Sequence, residues 1–119
     1  RSAVQMGTAY LCANEALTGP LHRAALRSDA ARHTALTNLF TGRPARGIVN
    51  RVMRELGPMS DAAPAFALAT AAIAPLRAAA EAQGSSDFSP LWSGQNTAHV
   101  REASARELTQ EFVRAWHTQ

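Results

Sequence analysis

At 119 residues and 46% hydrophobic content, the chain is long enough for one small domain with a modest core and too short for two. The single cysteine, Cys12, excludes an internal disulfide and most cysteine-based metal sites, and it suits a reducing compartment; with no apolar run long enough to span a bilayer and no basic-plus-apolar leader, a soluble cytoplasmic protein with no membrane partner is expected. All twelve basic residues are arginine and the net charge is +3, but the densest group, Arg43, Arg46, Arg51 and Arg54, is interleaved with Ile48, Val49, Val52 and Met53 as on a solvated helix face, so no nucleic-acid partner is expected.

Arg1 leads straight into the apolar run Ser2-Ala3-Val4, as a piece cut from a longer chain would. Residues 2–8 read as a strand that ends in Gln5-Met6-Gly7-Thr8. A strand ending in a glycine and a hydroxyl residue leaves free backbone N–H groups at its carboxyl end, where an anionic group such as phosphate can settle. Gly7 has no Cβ to hold a ligand away, and Thr8 can offer both its N–H and its hydroxyl. Asn14 to Pro20 carries turn chemistry, and Leu21 to Arg32 is rich enough in Ala and Leu for a short helix. His33 to Thr41 holds β-compatible residues and stops at Gly42, so it reads as an extended segment or hairpin arm.

Pro44 suits the first turn of a helix carrying Ile48, Val52 and Leu56 at i, i+4, i+8, which Gly57-Pro58 ends. Met59 to Ala65 is a linker. Phe66 to Gln83 is helical by composition, but Pro75 removes a donor and crowds the preceding turn, so a break or kink is expected there, with the cleaner helix from about Pro75 to Gly84. Gly84 to Asp87 is a loop, and Phe88 to Asn96 gathers aromatic and polar residues in a stretch unsuited to regular helix. Ser104-Ala105-Arg106-Glu107 is a capping-box pattern, and it opens a last helix with an apolar stripe of Leu108, Phe112 and Trp116.

Four blocks taken together carry a resemblance: Val4-Gln5-Met6-Gly7-Thr8-Ala9-Tyr10-Leu11, Phe40-Thr41-Gly42-Arg43-Pro44-Ala45-Arg46-Gly47, Ala74-Pro75-Leu76-Arg77-Ala78-Ala79-Ala80 and Leu91-Trp92-Ser93-Gly94-Gln95. In this order and spacing the chain resembles the carboxyl-terminal third of the nitronate monooxygenases, formerly called 2-nitropropane dioxygenases. That family is an FMN-dependent (β/α)8 TIM barrel, an α/β fold, with a small, mainly helical inserted domain, and it oxidises alkyl nitronates with molecular oxygen.

The resemblance implies that residues 1–13 are the last barrel strand with its phosphate-binding loop. Residues 14–84 would be the small domain, and residues 85–119 the barrel-mouth loop and the C-terminal barrel helix. This chain alone is then mostly α, and its partners are the remainder of the barrel, a small-molecule nitronate and oxygen. The implied FMN-binding residues are Gln5, Met6, Gly7 and Thr8, which fall where barrel enzymes bind phosphate, together with Gly94 and Gln95 and, beside them, Trp92 over the barrel mouth. No metal site and no catalytic residue is expected here. The family's catalytic histidine sits in a glycine-rich setting on an earlier loop, which none of His22, His33, His99 or His117 has, so the chain by itself is expected to be inactive. Phe66 departs from the pattern, since relatives often carry a tyrosine there and its hydroxyl is lost. Two alternatives are a flavin-dependent enoyl reductase of the same superfamily and a non-catalytic helical interaction module.

Overall fold

A computed structural model describes residues 3–118, in which four α-helices surround one small β-hairpin. The helices are α1 (Pro20–Leu26), α2 (Arg51–Leu56), α3 (Leu68–Ala82) and α4 (Ala105–His117), and the hairpin pairs β1 (Thr34–Thr37) with β2 (Ala45–Ile48). No helix among the described residues is long and apolar enough to cross a membrane.

Of the extended segment expected over His33 to Thr41, Thr34–Thr37 forms β1 while residues 39–41 turn, and the partner of β1 lies where a helix was expected. Residues 45–48 pair antiparallel with β1 in the register Thr34↔Ile48 and Thr37↔Ala45, so the helix anticipated from Pro44 begins only at Arg51. Two edges compete for this segment and both favour extension. β1 takes one edge, while on the other the Ile48 N–H donates to the Leu91 carbonyl at 2.8 Å and Gly47 bridges Trp92. The i, i+4, i+8 spacing was a coincidence of packing: Ile48 and Val52 are buried from different elements, and Leu56 is 63% exposed. The four arginines therefore share no helix face. Arg43 lies on the hairpin turn, Arg46 in β2 donates to the Thr34 hydroxyl, and Arg51 pairs with Glu55 along α2.

Two further expectations are corrected. α3 runs unbroken through Pro75. Pro75 and Ala71, whose carbonyl loses its helical donor, are both exposed, so water can satisfy the freed group. At the other end of the chain, residues 3–7 form no strand, and Thr8–Cys12 is a 3-10 helix. A strand needs a hydrogen-bonded neighbour, and among the described residues none pairs with this segment. Arg1 and Ser2 of the expected strand, and Gln119 at the other end, lie outside the described residues. The short helix from Leu21 forms as α1, starting at Pro20 and giving way to a 3-10 turn at Asp29–Arg32. Ser104 caps α4 as expected, its side chain accepting from the Glu107 N–H while the Glu107 carboxylate accepts from the Ser104 N–H.

Three small apolar clusters hold these elements. Cys12, Leu26, Ala31, Ile48 and Leu91 form one, and burial pushes the Cys12 thiol pKa up. Leu39, Phe40, Val52 and Met53 form the second, and Ala13, Ala103 and Leu108 the third. Beside the third cluster an apolar groove of about 360 Å³ lies between the N-terminal segment and α4, lined by Val4, Met6, Tyr10, Phe112, Val113 and Trp116. Val4 is 60% and Met6 41% exposed on it.

Candidate functional site

Thr8 begins the first 3-10 turn, whose leading N–H groups have no acceptor within the turn. Its hydroxyl oxygen accepts from the Gly94 N–H at 2.8 Å, a contact across 86 positions of sequence. An accepting hydroxyl keeps its own proton free for an incoming acceptor. The contact is close: a Cβ on Gly94 would lie 3.2 Å from the Thr8 oxygen. A Cβ on Gly7, by contrast, would meet nothing within 4 Å, so the space beside that backbone is open. Gly7 has φ −125°, so it is the open space rather than an unusual backbone conformation that distinguishes it. Gln5, Met6 and Gln95 are exposed on the flanks. The structure thus brings Thr8 to Gly94, residues of two sequence blocks far apart in the chain, and among the described residues it gives Gln5, Met6 and Gln95 no hydrogen-bonded place beside them.

The Leu91 to Gly94 loop is anchored by several hydrogen bonds. Besides the Leu91 bond to β2, the Ser93 N–H donates to the Arg46 carbonyl and the Ser93 hydroxyl to the Gly94 carbonyl. Trp92 packs edge-on against Phe40 with ring centroids 5.6 Å apart, so it covers the second apolar cluster. From the other side His22 on α1 approaches the Trp92 carbonyl, with Nε2 at 2.8 Å from the oxygen. The next residue, Arg23, donates to the carbonyls of Thr18, Ala13 and Ala16, gripping the segment that follows the Thr8–Cys12 turn. Neither residue stands out in the sequence, because their partners are backbone carbonyls and leave no residue-type signature. His33, His99 and His117 are exposed. Phe66 is 52% exposed and lies under the Arg43 guanidinium, which is 4.1 Å from the ring centroid.

A polar network ties α3 to the loop before Trp92. Glu81 accepts from the Ser89 hydroxyl at 2.6 Å and from Arg77 Nε at 2.7 Å, and these bonds, Ser89 first, hold its pKa below the ordinary carboxylate value. Asn50, 6% exposed, donates to the Ser86 and Ser89 carbonyls from the other side. A depressed folded pKa contributes stability above the unfolded value and loses it as pH falls through the folded one. The destabilisation caused by Ser89→Ala is therefore expected to be largest near neutral pH and to shrink as pH falls past 4.5, the unperturbed Glu value. Urea midpoints of wild type and variant at pH 7 and pH 3 check this, and a gap that does not narrow would contradict it. The effect is modest, because the Glu81 side chain is 36% exposed and screened by water.

Comparison with known proteins adds what geometry alone does not. The family model described as nitronate monooxygenase matches residues 1–115. The nitronate monooxygenase of Pseudomonas aeruginosa is 39% identical over 113 residues, covering 94% of this chain and 32% of its own length. That of Paraburkholderia phytofirmans is 35% identical over 114 residues, again 94% of this chain and 31% of its own length. Among solved structures, one described as a nitroalkane oxidase from Streptomyces ansochromogenes superposes with a TM-score of 0.77 at 40% identity, over 89% of this chain and 30% of that one. The chain thus spans about a third of the length of the curated relatives it matches.

Proposed function

The chain belongs to the nitronate monooxygenase family, and from that premise we propose that it forms the carboxyl-terminal third of an FMN-dependent barrel enzyme that oxidises alkyl nitronates with molecular oxygen. The observation that carries this reading is the Thr8 to Gly94 hydrogen bond, which joins the two sequence blocks assigned to the cofactor into one site. In it, residues 1–13 supply the last barrel strand and the phosphate-binding loop, residues 14–84 the small domain, and residues 85–119 the loop over the barrel mouth and an outer helix. Residues 3–7 gain strand partners from the rest of the barrel. The uncovered apolar groove along Val4, Met6, Phe112 and Trp116 supports that, since it flanks the segment that needs partners.

The residues present suit the phosphate end of FMN. The open space beside Gly7 leaves room for phosphate oxygens against the backbone, and the Thr8 hydroxyl proton and the leading N–H groups of the turn are donors for a dianion. Gln5 and Met6 would flank the ribityl chain, and Gly94 and Gln95 would close over it, held by Thr8. Bound there, FMN supplies the redox chemistry. The part of this chain is to bind and orient it, and the catalytic base comes from the rest of the polypeptide. The structural neighbour described as a nitroalkane oxidase favours a second substrate form, the neutral nitroalkane, which differs from its nitronate by one proton.

Thr8→Val tests the site. It keeps the shape and removes the hydroxyl, so FMN affinity in the full-length polypeptide is expected to fall by about 1.5–3 kcal/mol, the value of a hydrogen bond to a charged group. Thr8→Ser is expected to retain most of it. Fluorescence quenching of FMN titrated into the apo-protein measures both. Wild type that takes up no FMN would defeat the cofactor reading, and equal dissociation constants for Thr8→Val would remove the hydroxyl from the phosphate site.

A further inference from the structure

α1 carries two adjacent residues that grip opposite sides of the Thr8 to Gly94 contact. Arg23 donates to the Ala13, Ala16 and Thr18 carbonyls, which follow directly on the turn that Thr8 begins. His22 reaches the Trp92 carbonyl, two residues before Gly94, at 2.8 Å. On a helix, adjacent side chains point about 100° apart, so one short helix can hold two separate segments at a set spacing. A carbonyl oxygen only accepts, so the His22 ring must carry its proton on Nε2. We propose that His22 is a positioning residue for the cofactor loop: its Nε2–H holds the Trp92 carbonyl and thereby keeps the Gly94 N–H on the Thr8 hydroxyl.

The loop has other anchors, and they leave a particular gap. Leu91 and Ser93 are tied to β2 through backbone bonds, and the Trp92 ring packs on Phe40. Those bonds fix the loop against the hairpin. His22 ties it to α1 by a hydrogen bond, and Arg23 in turn ties α1 to the segment after Thr8. Without His22, the loop and the Thr8 turn keep the apolar cluster that Cys12, Leu26 and Leu91 share, but apolar packing is not directional, and among the described residues the hydroxyl contact is the one hydrogen bond left between them. His22 also lines a cleft of about 460 Å³ with Gly19, Pro20, Arg77, Glu81 and Ser89.

The inference rests on the FMN reading for its function and on the loop geometry alone for its structure, and the test separates the two. In the full-length polypeptide, His22→Phe is expected to weaken FMN binding roughly tenfold and to speed amide hydrogen exchange at Gly94 in the apo-protein. His22→Gln places a donor near the Nε2 position and is expected to bring the FMN dissociation constant back within about twofold of wild type, which a purely space-filling role would not do. Nitrogen NMR of the wild-type protein is expected to find the His22 proton on Nε2. An unchanged dissociation constant and unchanged Gly94 exchange in His22→Phe would overturn the proposal. So would a His22→Gln variant as weak as His22→Phe, or a proton on Nδ1 with Nε2 bare. If wild type takes up no FMN, the cofactor reading falls, while Gly94 exchange and the His22 tautomer still decide the positioning role. If His22→Phe does not fold, the wild-type tautomer and the His22→Gln titration decide it.

Discussion

Gly42→Ala is expected to destabilise the fold by roughly 2–5 kcal/mol, the combined range of backbone strain and an overpacked contact. Gly42 lies at φ +89°, a region that costs any residue with a Cβ, and the added carbon would sit 2.5 Å from the Phe66 nitrogen and 2.6 Å from the Pro64 carbonyl oxygen. These are backbone atoms and cannot swing aside as a side-chain end could. The contact matters because the hairpin turn and the segment before α3 are bound to each other there: the Ala67 N–H donates to the Thr41 carbonyl, and the Thr70 hydroxyl to the Phe40 carbonyl. Gly84 separates the two causes. It has φ +76° but open space around its Cβ position, so Gly84→Ala carries the strain without the clash and is expected to cost about 1 kcal/mol. Urea unfolding of the two variants side by side measures the difference. Equal losses would mean that the crowding at residues 64–66 relaxes at no cost.

Gly7→Val is expected to do the reverse, weakening the proposed FMN binding severely while sparing the fold. A Cβ there meets nothing in the chain and φ is −125°, so neither a clash nor a left-handed backbone penalises the apo-protein. If phosphate occupies that open space, a branched side chain displaces it from the adjacent N–H groups. Loss of two charge-assisted hydrogen bonds is about 3–6 kcal/mol, a hundredfold or more in the FMN dissociation constant. Flavin content after purification and a titration of the apo-protein check the binding, and circular dichroism checks the fold. Full flavin occupancy in the variant would place the phosphate elsewhere.

The features legible in the sequence were those that neighbours along the chain enforce. Ser104 and Glu107 form a capping box because both partners lie within one turn, so the start of α4 needs no help from the rest of the molecule. Thr34 to Thr37 become β1, as their β-compatible side chains suggest, and Gly42 turns the chain after them. Gly57 ends α2 where a helix stop was expected. The four motif blocks mark the family, and two of them contain the partners of the Thr8 to Gly94 contact.

Tertiary structure decided what depended on distant partners. Residues 45–48 have a spacing compatible with helix, but β1 on one edge and Leu91 to Trp92 on the other complete their hydrogen bonds only in an extended conformation. α3 passes through Pro75 because that face of the helix is exposed to water, and exposure is not written in local sequence. Residues 3–7 have the composition of a strand, yet a strand is a property of a pair and the chain provides no second member among the described residues. The meeting of Thr8 with Gly94, and the hold of His22 on Trp92, span 86 and 70 positions. Composition and periodicity report only on a residue's near neighbours, whereas a contact of that range exists only once the intervening chain has folded around it.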